Sequence, residues 1–288
     1  MNKYMIFTDS ACDISPDILR EWKVGFIELS FRFEGESKDY LNSQMDIKDF
    51  YTRMRNGETA KTSAINPEKF SADFEEVLKQ GKDILYLGFS SGLSNTYNSA
   101  RIAAEELSEK YPERKIVLID TLAASAGQGL IVYLAVQKMN GGASLQETAD
   151  YIESIKLNLC HWFTVDDLVY LKRGGRVSPT VAFVGTVLGI KPVLHVDNAG
   201  KLISVSKARG RKAALSALVD KYGELSEEHE KGTVFISQAD CMDDAKSVKS
   251  QFEKKYGADV KIITDIGPVI GAHSGPGTLA VFFLGKVR

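Results

Sequence analysis

Apolar positions along the first half of the chain follow two alternating rhythms. Short continuous runs, YMIFT at 4–8, DILYLGF at 83–89 and KIVLID at 115–120, predict buried strands. Between them lie stretches of helical spacing at 15–22, 45–57, 66–81, 94–111 and 123–142. Ser15-Pro16 and Asn66-Pro67 each set a capping side chain before a proline, which lacks the N–H that a first helical position would leave unpaired. Gly57 and Gly81 mark two helix ends. Residues 24–33 read as extended. Strands separated by helices require crossover connections, so the pattern predicts a largely parallel sheet covered on both faces.

The second half has a different rhythm. Strand-like runs occur at 161–165, 191–197, 201–207, 232–238, 260–265 and 278–285, with helical stretches near 212–222 and 242–256. The turn DNAG at 197–200 joins two of the strands as a hairpin. Hairpins mixed with helices predict a mixed sheet. The helical stretch 144–159 bridges the halves, and no repeat or low-complexity linker interrupts the chain. The expected fold class is therefore α/β in two closely packed domains. Residues 1–155 form a three-layer α/β/α unit with a parallel sheet, and 156–288 an α/β unit with a mixed sheet.

Composition narrows the partners. With 288 residues, 44% hydrophobic and 26% charged, there is room for one large or two smaller cores. A net charge of −2 provides no global field for nucleic acid, so any anion must be met locally. Cys12, Cys160 and Cys241 are scattered and form no C-x-x-C pair, which argues against a zinc site or a disulfide framework. No run of 18 apolar residues is present, and the first ten residues lack a signal peptide's apolar core. A soluble, cytoplasmic protein without stable membrane insertion is expected.

Several stretches offer chemistry. GFSSGLSNT at 88–96 follows a strand and precedes a helix, and its start fits the G-x-S-x-G pattern of a nucleophile elbow. Ser90 would attack in that reading, with Asp240 or Asp265 and then His273 completing a Ser…Asp…His order. However, Ser91, Gly92 and Leu93 separate Ser90 from the helix, whose expected cap is Ser94, so the segment reads equally as a hydroxyl-rich loop that grips an anion. Thr62 and Ser63 stand in an expected loop before the Asn66-Pro67 helix start, and Asp9 at the end of the first strand is expected to cap or turn. The Gly/Pro-rich GPVIGAHSGPG at 267–277 predicts neither a helix nor an interior strand, and holds His273. Lys172, Arg173 and Arg176 surround a Gly-Gly turn, and Lys207, Arg209, Arg211 and Lys212 form a second basic cluster. Either cluster suits a phosphate or an acidic partner protein. The apolar 180–194 reads as a buried helix and strand, or as the wall of an elongated pocket. There is no G-x-x-x-x-G-K-[ST], and Gly127-Gln-Gly129 lacks the third glycine of a dinucleotide fingerprint, so no nucleotide cofactor is expected.

Six stretches in order, IFTDSACDI, KTSAINPEKF, GFSSGLSNTY, LVYLKRGGRVS, LGIKPVL and GAHSGPGTLAVFF, together resemble the DegV family, over about residues 4–286. That family includes the fatty-acid-binding subunits of bacterial fatty acid kinase. The resemblance implies a two-domain protein enclosing one long-chain fatty acid between its domains, with no cofactor and no catalytic residue of its own. In kinase-linked members a separate ATP-dependent subunit phosphorylates the carboxylate, and the acyl phosphate feeds phospholipid synthesis. By motif, Thr62 and Ser63 of KTS, Ser94 of the hydroxyl loop and His273 resemble the carboxylate-binding groups. Arg173 resembles an arginine near the reaction site, and Arg209 a kinase-docking arginine. Burying each methylene of a tail is worth ~0.8 kcal/mol, so roughly 15 of them supply about 12 kcal/mol before entropic costs. Hydroxyls and one imidazole can then satisfy the carboxylate without a permanently buried cation. A lipid sensor or carrier without a kinase would need the same pocket.

Overall fold

In the computed structural model, residues 4–177, 189–226 and 232–288 are described. The first apolar run forms β1 (Tyr4–Asp9), which lies between β2 (Gly25–Ile27) and β6 (Asp83–Gly88), with β7 (Ile116–Asp120) beyond, all parallel. Alternate residues of these strands serve opposite faces. Ile6, Leu85 and Leu87 join Leu130 and Ile152 from α5 (Ala126–Asn140) and α6 (Leu145–Ile155) on one face. Phe7, Ile84 and Tyr86 join Phe70, Phe74 and Ala103 from α3 (Pro67–Lys79) and α4 (Thr96–Lys110) on the other. The expected parallel sheet with two covered faces is present. The Ser15 and Asn66 caps accept from Ile18 N and Lys69 N and start α1 (Pro16–Glu21) and α3.

The extended 24–33 segment divides. Its second part, β3 (Ser30–Phe33), leaves the main sheet and pairs antiparallel with β4 (Tyr40–Leu41) and β5 (Ala60–Ser63), beside α2 (Ile47–Arg55). Thr62 and Ser63 therefore lie at the end of a strand, opposite Phe31 and Ser30, and not in a loop. A four-residue polar strand carries no periodic signal of its own. Pairing with the buried Phe31 and Phe33 fixes it.

The second sheet has the order β10-β9-β8-β13-β11-β12. Its strands are β8 (Leu159–Thr164), β9 (Ile190–Val196), β10 (Leu202–Arg209), β11 (Thr233–Gln238), β12 (Asp259–Asp265) and β13 (Leu279–Leu284). Among the described strands of this sheet only the β11–β12 pair is parallel, so the sheet is mixed as expected. In the 197–200 hairpin, Asp197 Oδ1 accepts from Ala199 N and Lys201 N. Two helices, α8 (Arg211–Leu225) and α9 (Met242–Tyr256), cover one face around Tyr222, Phe252 and Phe283. The other face presents Phe163, Phe235 and Phe282 to α5, within the same core cluster as Leu130 and Ile6.

Two further expectations change. The bridge predicted over 144–159 stops at Ile155, and Leu159 begins β8, because Asn158 donates to the Gly285 carbonyl and turns the chain into the sheet. The Gly/Pro-rich stretch does hold a short helix, α10 (Pro268–Ser274), with Pro268 at its first turn and Gly275 at φ +80° closing it. Another short helix, α7 (Val169–Arg173), precedes the Gly-Gly turn.

Polar contacts also cross between the halves. Asp13 accepts from Ser125 Oγ and, at 2.9 Å, from Gly267 N, while Thr264 Oγ1 donates to its carbonyl at 2.6 Å. Ser90 Oγ donates to the Gly200 carbonyl at 2.8 Å, joining the hydroxyl loop to the hairpin turn. Gly200 has φ +70°, and a Cβ there would stand 2.1 Å from Ser90 Oγ. Gly200→Ala should therefore cost about 1–3 kcal/mol in urea unfolding. Gly142→Ala, at φ +92° but in open space, should lose only the backbone part, roughly 1 kcal/mol. Equal losses would show that the Ser90–Gly200 contact is not strained by the added methyl.

Candidate functional site

The hydroxyl loop leaves the carboxyl end of β6 under the control of a buried acid. Asp9 is fully buried and accepts from Ala11 N at 3.0 Å, Tyr86 Oη at 2.7 Å and Phe89 N at 2.9 Å. Burial raises its pKa against the pull of those donors. Asp9 thus fixes the loop start and caps the 3₁₀ turn at Ser10–Cys12, as expected of it. Ser90 Oγ, besides holding Gly200, accepts from Gly92 N at 3.2 Å and is fully buried. It has no hydrogen bond to a histidine among the described residues. Asp240 instead pairs with Arg55, and Asp265 accepts from Gln238. The Ser…Asp…His reading is therefore not supported, because its members are spent on separate structural contacts.

Ser94 does not occupy the cap position expected of it. Helix α4 begins at Thr96 with Asn95 in the cap position and no side-chain cap bond. Ser94 lies one residue earlier, its Oγ 2.9 Å from Thr96 Oγ1 and accepting from Thr96 N at 3.2 Å. The hydroxyl is thereby oriented at the mouth of the helix.

His273, on α10, meets Thr62 across the two halves. Its Nε2 is 2.8 Å from Thr62 Oγ1. Its Nδ1 has no partner among the described residues and packs on Gly174, where a Cβ would sit 2.2 Å away. Only a glycine backbone lets the turn after α7 approach so closely. Burial, and secondarily the Arg176 charge, holds the imidazole down to about 4. At neutral pH His273 is uncharged and can exchange a hydrogen bond with Thr62 in either tautomer.

These groups share one cavity of about 310 Å³ between the two sheets. Thr62, Ser63, Ser94 and His273 all line it. So do apolar side chains from both halves, among them Leu29, Phe89, Phe163, Val269 and Phe282. The pocket wall expected over 180–194 lies mostly outside the described residues, but Val196 of β9 and Leu202 of β10 do line the cavity. Arg173 is exposed, and its Nη1 donates to Thr59 Oγ1 at 3.0 Å. Arg209 is exposed at the end of edge strand β10. Neither lines the cavity. Arg176 does, although the sequence marked it only as part of a basic cluster. Ser274 is a second lining residue without an earlier signal. Among the described residues no group of three His, Cys, Asp or Glu could hold a metal ion, and no helix is long and apolar enough to cross a membrane.

Residues 3–286 match the family described as an uncharacterised protein, DegV family. The chain belongs to the DegV family. A DegV domain-containing protein of Clostridium perfringens is 44% identical over 289 residues, covering 100% of this chain and 99% of its own. A structure from Thermotoga maritima, described as revealing a fatty acid binding function, matches with a TM-score of 0.86 at 29% identity, covering 99% of this chain and 100% of its own. A DegV family protein from Thermus thermophilus, described by its fatty acid binding, matches with a TM-score of 0.89 at 27% identity, covering 98% of this chain and 99% of its own. The α/β architecture built above is thus the DegV fold.

The buried imidazoles give this DegV protein an acid-sensitive site. An unfolded histidine takes up its proton near pH ~6.5, whereas folded His273 resists until about 4. The unfolded state then binds more protons between those values, so stability is full above the unfolded pKa and falls as pH drops toward 4. His161 and His195 are shifted down as well, mainly by burial, and add the same sign. Between pH 7 and pH 5 the urea stability of wild-type protein should fall relative to that of His273→Gln, a comparison in which the opposite contribution of Asp13 cancels. An NMR titration placing His273 in the free protein near the ordinary histidine value would contradict the buried, neutral assignment.

Proposed function

We propose that this chain binds one long-chain fatty acid in the cavity and presents its carboxylate to a separate ATP-dependent kinase subunit, which converts it to an acyl phosphate. The observation that carries the reading is the distribution of polarity in one cavity. Hydroxyls and a neutral imidazole from Thr62, Ser63, Ser94 and His273 gather beside walls of apolar side chains. Pockets of this kind fix orientation through a few polar groups and take their affinity from apolar burial. The volume, about 310 Å³, lies at the lower end of the usual range for ligand pockets, roughly 300–1,000 Å³. Fatty acid binding by relatives of the same fold supports the ligand class.

In this reading the chain is the non-ATP-binding subunit. The carboxylate stays near the surface, where Ser63 and Asn95 are exposed, while the tail runs inward toward Phe163 and Phe282. Arg173 ends α7 on the exposed rim, one guanidinium N–H held by Thr59 Oγ1 and the others open to a partner's nucleotide. Its planar fork suits a transferring phosphoryl group. Arg209, on an exposed strand end, is the docking contact. A carrier or sensor that works without a kinase would use the same cavity and no feature of Arg173.

Native protein should release about one equivalent of long-chain fatty acid on denaturing extraction. Recovery of only trace lipid would reject the ligand class. Thr62→Ala and Ser94→Ala should each weaken fatty acid binding by ~1.5–3 kcal/mol, the worth of a hydrogen bond to a charged group.

With a purified kinase subunit, Arg173→Ala should retain lipid affinity but lose on the order of 10³-fold in acyl phosphate formation. Equal loss of binding and turnover would assign Arg173 to the pocket. A wild-type chain that binds fatty acid yet yields no acyl phosphate with ATP and the kinase would favour the carrier.

A further inference from the structure

Two polar side-chain atoms of the cavity wall lie outside the proposed carboxylate site and are buried without a hydrogen-bond partner among the described residues, His161 Nε2 and Ser274 Oγ. They differ in how firmly they are fixed. A serine hydroxyl rotates about one bond and on a helix can turn to the carbonyl four residues back, so Ser274 can satisfy itself within α10. An imidazole nitrogen has no such freedom. His161 is 1% exposed, on β8 opposite Phe282 of β13, whose ring it meets edge to face at 5.5 Å. Its Nε2 packs over Gly127 of α5, where a Cβ would fall 2.5 Å away. Gly127 cannot serve it, because its own N–H donates to the Ala124 carbonyl.

The other ring nitrogen decides what Nε2 can bind. Nδ1 lies 3.2 Å from the Leu159 carbonyl. A carbonyl only accepts, so Nδ1 carries the proton and Nε2 a bare lone pair. Burial, and after it the Arg288 charge, holds the imidazole well below its ordinary pKa, so no second proton is present at neutral pH. Nε2 is therefore an acceptor alone. It is satisfied by an O–H or an N–H, whereas a ketone or ester oxygen would meet it lone pair to lone pair. A buried acceptor left without a donor is costly, and a donor supplied by the cavity's occupant removes that cost.

We infer that His161 is a second polar station in the cavity, an acceptor that recognises a hydroxyl carried along the acyl chain. The ligand class is then a single-chain acid with a hydroxyl on the part of its chain that passes Phe282, favoured over the matching ketone. Thr62, Ser63, Ser94 and His273 hold one end of the molecule, and His161 reads the chain. This inference rests on the fatty acid reading above.

The test measures binding of stearate, of stearates hydroxylated at each carbon from the middle to the end of the chain, and of the matching oxostearates. The delipidated full chain is used, with displacement of a fluorescent fatty acid as the readout. In wild-type protein at least one hydroxystearate should bind roughly two- to tenfold tighter than its ketone, the worth of one neutral hydrogen bond. His161→Leu removes the acceptor at similar size and should abolish that difference at the same carbon. Nitrogen NMR of the wild-type protein covers the case in which the leucine variant does not fold. The Nε2 signal should be that of an unprotonated nitrogen with stearate bound, and should move upfield when the preferred hydroxystearate replaces it. Three results would each overturn the assignment of His161 and leave the fatty acid reading intact: no hydroxyl preference at any carbon, a leucine variant that keeps the preference, or an Nε2 signal identical in the two complexes, as a trapped water on the nitrogen would give. Failure of wild-type protein to bind stearate at all would overturn both.

Discussion

The two larger sheets of the molecule depend on one helix that is buried over most of its length. Ten residues of α5 are buried, and they touch the parallel sheet on one side and the mixed sheet on the other. Glycines set the distances. A Cβ at Gly127 would fall 2.5 Å from His161 Nε2, and one at Gly129 would fall 2.5 Å from Ile14. Close approach of the second sheet brings the strands bearing Phe163 and Phe282 over the N-terminal loops, and the space left between them is the cavity. The site is a consequence of how two layers share a helix, not of any one loop.

Much of this was legible because it is local. Ser15-Pro16 and Asn66-Pro67 announce helix starts by a mechanism contained in two residues. The alternation of apolar runs and helical stretches predicts the parallel sheet, and the DNAG turn predicts the hairpin at 197–200. What escaped was set by distant partners. The strand at Ala60–Ser63 exists because Phe31 and Phe33 pair with it, and the helix at Pro268–Ser274 exists although its composition argues against one. The site residues Thr62, Ser94 and His273 were named through motif resemblance. Their convergence in one cavity depends on tertiary packing that spacing along the chain does not encode. Arg176 was visible as one of several basic residues, but its half-buried place beside Leu93 was not.

The interior manages polarity with few charges. Asp13, buried between the halves, is pushed up to about 8, mainly by desolvation, and so remains largely protonated near neutrality. Its contribution has the opposite sign to that of the histidines. A carboxyl favoured in its neutral form stabilises below the unfolded value and loses that stability as pH rises toward 8. The imidazoles cost stability toward acid, and Asp13 costs it toward alkali. The structure is therefore best satisfied when both kinds of group are uncharged.

The sharing of α5 also limits how the proposed cargo could be exchanged. Two domains with separate cores can swing apart about a linker and open a cleft at little expense. Here such a swing would pull Phe282 and Phe235 away from Leu130 and expose the common core to water. A molecule held in the cavity as proposed would instead have to pass short pieces at the rim, such as Ser63–Ala64 and Leu93–Asn95, which line it. Residence time is then governed by those local openings, and a tight ligand acts as a clamp that stiffens the whole chain at once.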